Sequence, residues 1–275
     1  MKMRSFLKKA ARWLGFSSGA APRKSPRPAV CRIASNELLE DRHLLSAAAI
    51  VSNFNISSGP AHPVTNATGE GFVIALYRDV LMRAPDTSGL NYYTKVLTNG
   101  TPPSIIAAAF WQSEEHREIE VDGYYETFLK RAADPVGLQT YVRLMLNGAT
   151  EETVMYDFLD SPEFQLLNPS PTEFVTALYQ DVLGRAPDTA GMSTYLNVLT
   201  NRVTTPSQVV LSFINSSERN LNLVDSFYDN YLQRAPDAAG QAFWLQQLDQ
   251  GLADEQSVAE AFLSTQEYIN LHPLF

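Results

Sequence analysis

Four aspartates recur at one place in a short motif. Asp86, Asp134, Asp188 and Asp237 each stand three residues after an arginine (Arg83, Arg131, Arg185, Arg234) and three before a glycine (Gly89, Gly137, Gly191, Gly240). Carboxylates in repeated loops suggest calcium. Each of these loops, however, offers a single aspartate, where a calcium loop supplies several oxygen ligands in series. The preferred reading is an N-cap, with the aspartate accepting a backbone N–H at the start of a helix. Calcium is the only metal or cofactor this sequence makes a candidate. The four arginines fall where a helix ends, so they could simply complement its dipole. A second residue set moves in step with them: Glu115, Glu163, Glu218 and Glu267. A planar guanidinium can take a carboxylate in a two-point grip, and each Arg is expected to clasp the glutamate of its own copy.

Each of those glutamates lies two residues after a hydroxyl: Ser113, Ser161, Ser216 or Thr265. A hydroxyl near an acid hints at nucleophilic chemistry, but that also needs a general base, and no histidine accompanies the copies. His43, His62, His116 and His272 sit in unlike contexts. Helix caps are the simpler reading of the four hydroxyls. The sequence outside residues 1–46 holds twenty-seven acids, so a hydrolase using two carboxylates stays a residual class. It would need a pair about 5–9 Å apart. Tyr92 and Tyr124 each adjoin a core-pattern tyrosine, which makes them candidate outward rings for stacking on sugar. The lone Cys31 leaves no internal disulfide and no multi-cysteine zinc site.

These residues belong to a unit repeated four times. The arginines are 48, 54 and 49 residues apart. Six before each is a tyrosine (Tyr77, Tyr125, Tyr179, Tyr228). Four after each glycine is an aromatic (Tyr93, Tyr141, Tyr195, Trp244), and further on comes a phenylalanine (Phe110, Phe158, Phe213, Phe262). Within a unit, Val224, Phe227, Tyr228, Tyr231 and Leu232 show the spacing of one helical face. Three helices per unit are expected. The first stops at Arg-Ala-Pro, since Pro disfavours a helical residue before it. The second ends at Asn99-Gly100, Asn147-Gly148 or Gln250-Gly251, with Asn201 taking the left-handed position in the third copy. The third opens at Thr101-Pro102 or Thr205-Pro206. Copies one and three match best, as do two and four. The fold class is therefore all-α: four tandem three-helix units, about twelve helices, packed as a duplicated pair over residues 71–168 and 169–275.

Residues 1–46 carry ten Lys/Arg against three acids, or +7, and the rest carries eleven against twenty-seven, or −16. An acidic body argues against nucleic acid as a partner. No run of about 18 apolar residues is present, so no membrane-spanning helix is expected. Residues 1–47 read as a basic, disordered export leader and 48–70 as a linker rich in Ser, Asn, Gly, Pro and Thr.

Two resemblances extend this reading. Leu39-Glu40-Asp41-Arg42-His43-Leu44-Leu45-Ser46-Ala47 resembles the N-terminal Leu-Glu-(Asp/Pro)-Arg-x-Leu-Leu-Ser motif of Planctomycete extracellular proteins, which implies export to the cell surface or beyond. The recurring Leu-Tyr-x-x-Val-Leu-x-Arg-Ala-Pro-Asp-x-x-Gly, followed by an aromatic and Phe-x-x-Ser-x-Glu, resembles the bacterial domain of unknown function family 4214 over residues 72–270. Copy two departs from it with Ala133 in place of Pro and Tyr124-Tyr125 in place of Leu-Tyr. The family is similar in motif to phycobilisome linker scaffolds, is associated with secreted and surface proteins, and implies no reaction. The expected function is a non-enzymatic extracellular or cell-surface module for adhesion or assembly, with an envelope glycan or surface protein as partner. The alternative is an accessory module in envelope polysaccharide synthesis or modification. Nothing in the sequence fixes the oligomeric state.

Overall fold

The computed structural model describes residues 66–273. The leader and its motif, Cys31, and most of the linker lie outside the described residues. Among those described, every regular element is a helix, and there are fourteen. They are α1 (Asn66–Asp79), α2 (Thr87–Thr98), α3 (Pro103–Trp111), α4 (Glu114–Phe128), α5 (Pro135–Leu146), α6 (Glu151–Leu159), α7 (Pro162–Leu167), α8 (Pro171–Asp181), α9 (Thr189–Thr200), α10 (Pro206–Ile214), α11 (Ser217–Tyr231), α12 (Ala238–Asp249), α13 (Glu255–Leu263) and α14 (Gln266–Asn270). The expected all-α repeat is what the chain forms.

The helix count differs from twelve for a local reason. In copies one and three the Ser-x-Glu segment runs straight on into the first helix of the next copy, giving the fifteen-residue α4 and α11. In copies two and four it stands alone as the short α7 and α14. Pro169 follows Asn168, the C-cap of α7, and holds that residue out of the helical region. The linker also ends earlier than expected, because α1 already begins at Asn66. Gly69 and Gly71 are buried inside that helix, so tertiary packing overrides their poor helix propensity.

The ends of the first and second helices are built alike in every copy. The second helix closes with paired backbone bonds, Gly100 N to Leu97 O (3.0 Å) and Thr101 N to Val96 O (3.3 Å) in copy one, the Schellman pattern. Gly148 and Gly251 do the same with positive φ. In copy three the left-handed residue is Arg202 at φ 54°, while Asn201 stays at φ −82°. The pattern fixes the position after the C-cap, not the C-cap itself, as the turn point. The first helix ends before Arg-Ala-Pro is reached. Its stop is a left-handed residue just ahead of the arginine: Met82, Lys130, Gly184 or Gln233. The arginine N–H then reaches back to the carbonyl of Tyr77, Tyr125, Tyr179 or Tyr228 at 3.1–3.3 Å. In copy one the third helix is capped one residue later than expected. Pro102 is the N-cap, without a side-chain cap bond, because Pro103 takes the first helical position. Thr205 in copy three caps as expected, in a box with Gln208.

The chain divides into two compact units that cut across the sequence pairing. One holds the described residues up to Ser113, Phe227–Arg234 and those from Ser257 on; the other holds Glu114–Ser226 and Ala235–Gln256. In the second unit the tail of copy two meets the head of copy three, with Phe164 edge-on to Phe174 at 5.9 Å. In the first unit the tail of copy four meets the head of copy one through the equivalent pair, Tyr268 edge-on to Phe72 at 6.0 Å. The Tyr268 hydroxyl donates to Asp79 at 2.9 Å. In the second unit Phe164 has no hydroxyl, and the equivalent Asp181 is met by Lys130 at 2.8 Å.

Candidate functional site

The recurring motif folds into one small construction. Asp86, Asp134, Asp188 and Asp237 are all N-caps, each accepting from the N–H of the motif glycine at 2.8–2.9 Å. The glycine is required by the tyrosine six before the arginine. A Cβ on Gly89, Gly137 or Gly191 would stand 2.0–2.1 Å from the hydroxyl of Tyr77, Tyr125 or Tyr179. That same tyrosine carries the arginine on its face, with the guanidinium carbon 4.7–4.8 Å from the ring centre in all four copies. Its edge meets the copy's phenylalanine at 4.8–4.9 Å between centroids. Glycine, tyrosine, arginine and phenylalanine therefore specify one another.

Arginine and glutamate meet in the two-point grip. Arg131 gives Nε to Glu163 Oε1 at 2.6 Å and a terminal nitrogen to Oε2 at 2.9 Å. Arg185 holds Glu218 at 2.5 and 2.9 Å, and Arg234 holds Glu267 at 2.5 and 3.0 Å. Arg83 and Glu115 belong to different units. Arg83 lies 3.7 Å from Asp86, as Arg131 does from Asp134 (3.5 Å) and Arg185 from Asp188 (3.3 Å). The hydrogen bonds from Arg131 and Arg185 hold the carboxyls of Glu163 and Glu218 below the usual range. The glycine N–H bonds do so for Asp134 and Asp188. The hydroxyls act as splices between helices: Ser161 accepts from Phe164 N and donates to Phe158 O, and Thr265 accepts from Tyr268 N and donates to Phe262 O. Among the described residues no three His, Cys, Asp or Glu gather as a metal would need, so the four aspartates are not brought together. Of the two outward-ring candidates, Tyr92 is exposed, whereas Tyr124 stacks on Phe128 and packs against the core.

Comparison with known families places the same construction. The family described as Domain of unknown function (DUF4214) matches in four segments, residues 52–119, 121–168, 155–223 and 219–272. The chain belongs to this family. No curated protein and no solved structure matches it. Each matched DUF4214 segment contains one copy of the recurring motif just described, whose residues are set by mutual contact.

A second group of polar residues lies outside the recurring motif and was passed over in the sequence. In the second unit Arg117 on α4 is 2% exposed and donates to Glu120 and Glu151, both at 2.6 Å, and to Gln256 at 2.6 Å. Arg219 on α11 is buried and donates to Glu152 at 3.2 Å and Glu255 at 2.6 Å. Glu151 is 1% exposed. Glu151 and Glu255 are equivalent residues of copies two and four, each seven before its core phenylalanine (Phe158, Phe262), at the first position of α6 and α13. One signal could have found part of this group: Arg219 falls three residues after its motif serine, where copies two and four carry the buried rings Phe164 and Tyr268. Arg117 falls one place beyond the equivalent position, which in copy one is His116.

Proposed function

We propose that the chain is an exported, non-enzymatic module of the cell surface or extracellular matrix, working in adhesion or assembly. The observation that carries this reading is that the recurrent polar residues are already engaged in holding the repeat together. The aspartates cap, the hydroxyls splice, and three arginine–glutamate pairs clasp one copy's helices to each other. A chain that repeats its scaffold residues four times multiplies surface rather than chemistry. The leader's resemblance to the Planctomycete extracellular motif supports export, and the −16 of the remainder supports a partner that is neutral, cationic or bridged by cations. Exposed Tyr92, whose ring meets Tyr93 edge-on at 5.1 Å, offers a flat face for a sugar ring.

Co-sedimentation of the protein with isolated cell envelopes tests the reading. Binding that survives protease treatment of the envelope and weakens in Tyr92→Ala is the expected result for a glycan partner. Loss of binding after protease would move the partner to a surface protein, and loss with chelator would indicate a calcium bridge. Absence of binding under all of these conditions would refute the adhesive role and favour accessory work beside an envelope polysaccharide enzyme.

A further inference from the structure

Two guanidinium groups in the second unit face four carboxylates. From α4 come Arg117, Glu120 and the neighbouring His116 and Tyr124. From α6 come Glu151 and Glu152, from α11 Arg219, and from α13 Glu255 with the neutral Gln256. Each arginine is divided between two acids, and none of these contacts is the two-point grip seen at the repeat motif. With all four acids ionised and His116 neutral, the group carries two negative charges in excess. An uncompensated charge taken out of water is costly, and the usual relief is to neutralise it.

We propose that this cluster takes up a proton on its carboxylates when the chain folds, so that the second unit is held most firmly in mildly acid surroundings and loosens as the pH rises. A proton is the smallest cation that can relieve the excess, and it needs no cavity. The acids respond in the required direction. Burial, reinforced by Glu151, Glu152 and Glu120 and opposed by Arg219, pushes the Glu255 carboxyl up to about 8. Burial also raises Glu120 and Glu151. The helix N-termini beneath Glu151 and Glu255 favour the anion, but the direction stays upward. The repeat itself bears on the point: where copy two has Glu151 and Glu152, copy four has Glu255 and the uncharged Gln256, so the place of one carboxylate is already taken by a neutral group.

A carboxyl whose folded value lies above its unfolded one contributes stability that is complete below the ordinary carboxylate range. That stability is lost as the pH climbs to the folded value. The window runs from the ordinary 4.5 to about 8. The repeat-motif pairs weaken only below that window, because their glutamates are shifted downward. Urea unfolding of the full chain at a series of pH values between about 5 and about 8.5 reads the linkage. For one proton, the folding equilibrium constant falls about tenfold per pH unit across the window. Glu255→Gln is expected to flatten that fall and to exceed the wild-type stability at the alkaline end. A wild-type constant that is level or rises with pH overturns the proposal. So does a slope unchanged in Glu255→Gln, or one abolished instead by His116→Gln. If Glu255→Gln does not fold, the infrared carbonyl stretch of a protonated carboxylic acid in the wild-type protein decides the matter. It is expected at neutral pH and should bleach near the alkaline end of the window; its absence at neutral pH overturns the proposal.

Discussion

Arginine and glutamate meet in two settings in this protein, and the outcomes are opposite. At the repeat motif the arginine grips its glutamate at two points, with the capping aspartate 3.3–3.5 Å away in copies two and three, and both partners of the grip are about a third or more exposed. There Arg131 and Arg185 hold their glutamates in the charged form, and stability from this source is lost as the pH falls through the lowered carboxyl values. In the α4–α6–α11–α13 cluster a buried arginine serves two buried or half-buried glutamates, and the carboxyls of Glu120, Glu151 and Glu255 shift upward. The chemistry of the pair is the same; burial sets the sign. The exposed pair is mainly a positional clasp, since solvent and salt screen it. The buried one is the larger energetic commitment, because removing either sign leaves the other unpaired.

The largest expected effect follows directly. Arg117→Ala strands Glu120 and Glu151 and should cost about 3–5 kcal/mol at neutral pH, read by urea unfolding, with a smaller loss in acid where those carboxyls can protonate. A cost equal to that of Arg131→Ala would break the distinction between the two settings. Next in size is Gly137→Ala. Its Cβ would stand 2.0 Å from the Tyr125 hydroxyl, and such overpacking costs about 1–3 kcal/mol. Removing that hydroxyl in the Gly137→Ala, Tyr125→Phe double variant should recover most of the loss. No recovery would show that the glycine answers to something other than the tyrosine.

Most of the motif was legible in the sequence and most of the cluster was not. Asp, Gly, Tyr, Arg and Glu recur at fixed steps because the contact among them is repeated, and recurrence exposes contact without any structure. The glycine's reason was hidden all the same, since the tyrosine it makes room for stands twelve residues away. The cluster escaped because it is not periodic. Arg117 follows its motif serine by four residues and Arg219 by three, and a helical stretch such as Glu114–Glu120 reads as a solvated charged face until neighbours cover it. The helix stops were misplaced for another reason: proline announces itself in a sequence, whereas a left-handed Met82, Lys130 or Gln233 carries no signal of its type.

A smaller effect belongs to the clasp. Arg131→Ala should cost within about 1 kcal/mol, the range of an exposed ion pair, to which the stack on Tyr125 adds a comparable contribution. Raising the salt should shrink the ion-pair part and leave the stack. Arg131→Lys should not restore the wild type, because an ammonium offers neither the fork nor the plane. Full rescue by lysine would show that only the charge matters at this position and would remove the geometric difference between the clasp and the cluster.

The smallest expected change is a gain. Gln233 sits at φ 52° where the first helix of copy four ends, and the same place in copy three holds Gly184 at φ 69°. A side chain there meets its own backbone, at a cost of about 1 kcal/mol. Glycine removes that strain but brings about 0.5–1 kcal/mol of chain entropy to be lost on folding. Gln233→Gly should therefore stabilise by no more than a few tenths of a kcal/mol, while Gly184→Ala should destabilise by about 1 kcal/mol. The asymmetry is the test: equal and opposite changes at the two sites would mean that the left-handed turn is set by its residue. A small gain beside a larger loss means that it is set by the arginine N–H reaching back to the tyrosine carbonyl, which all four copies share.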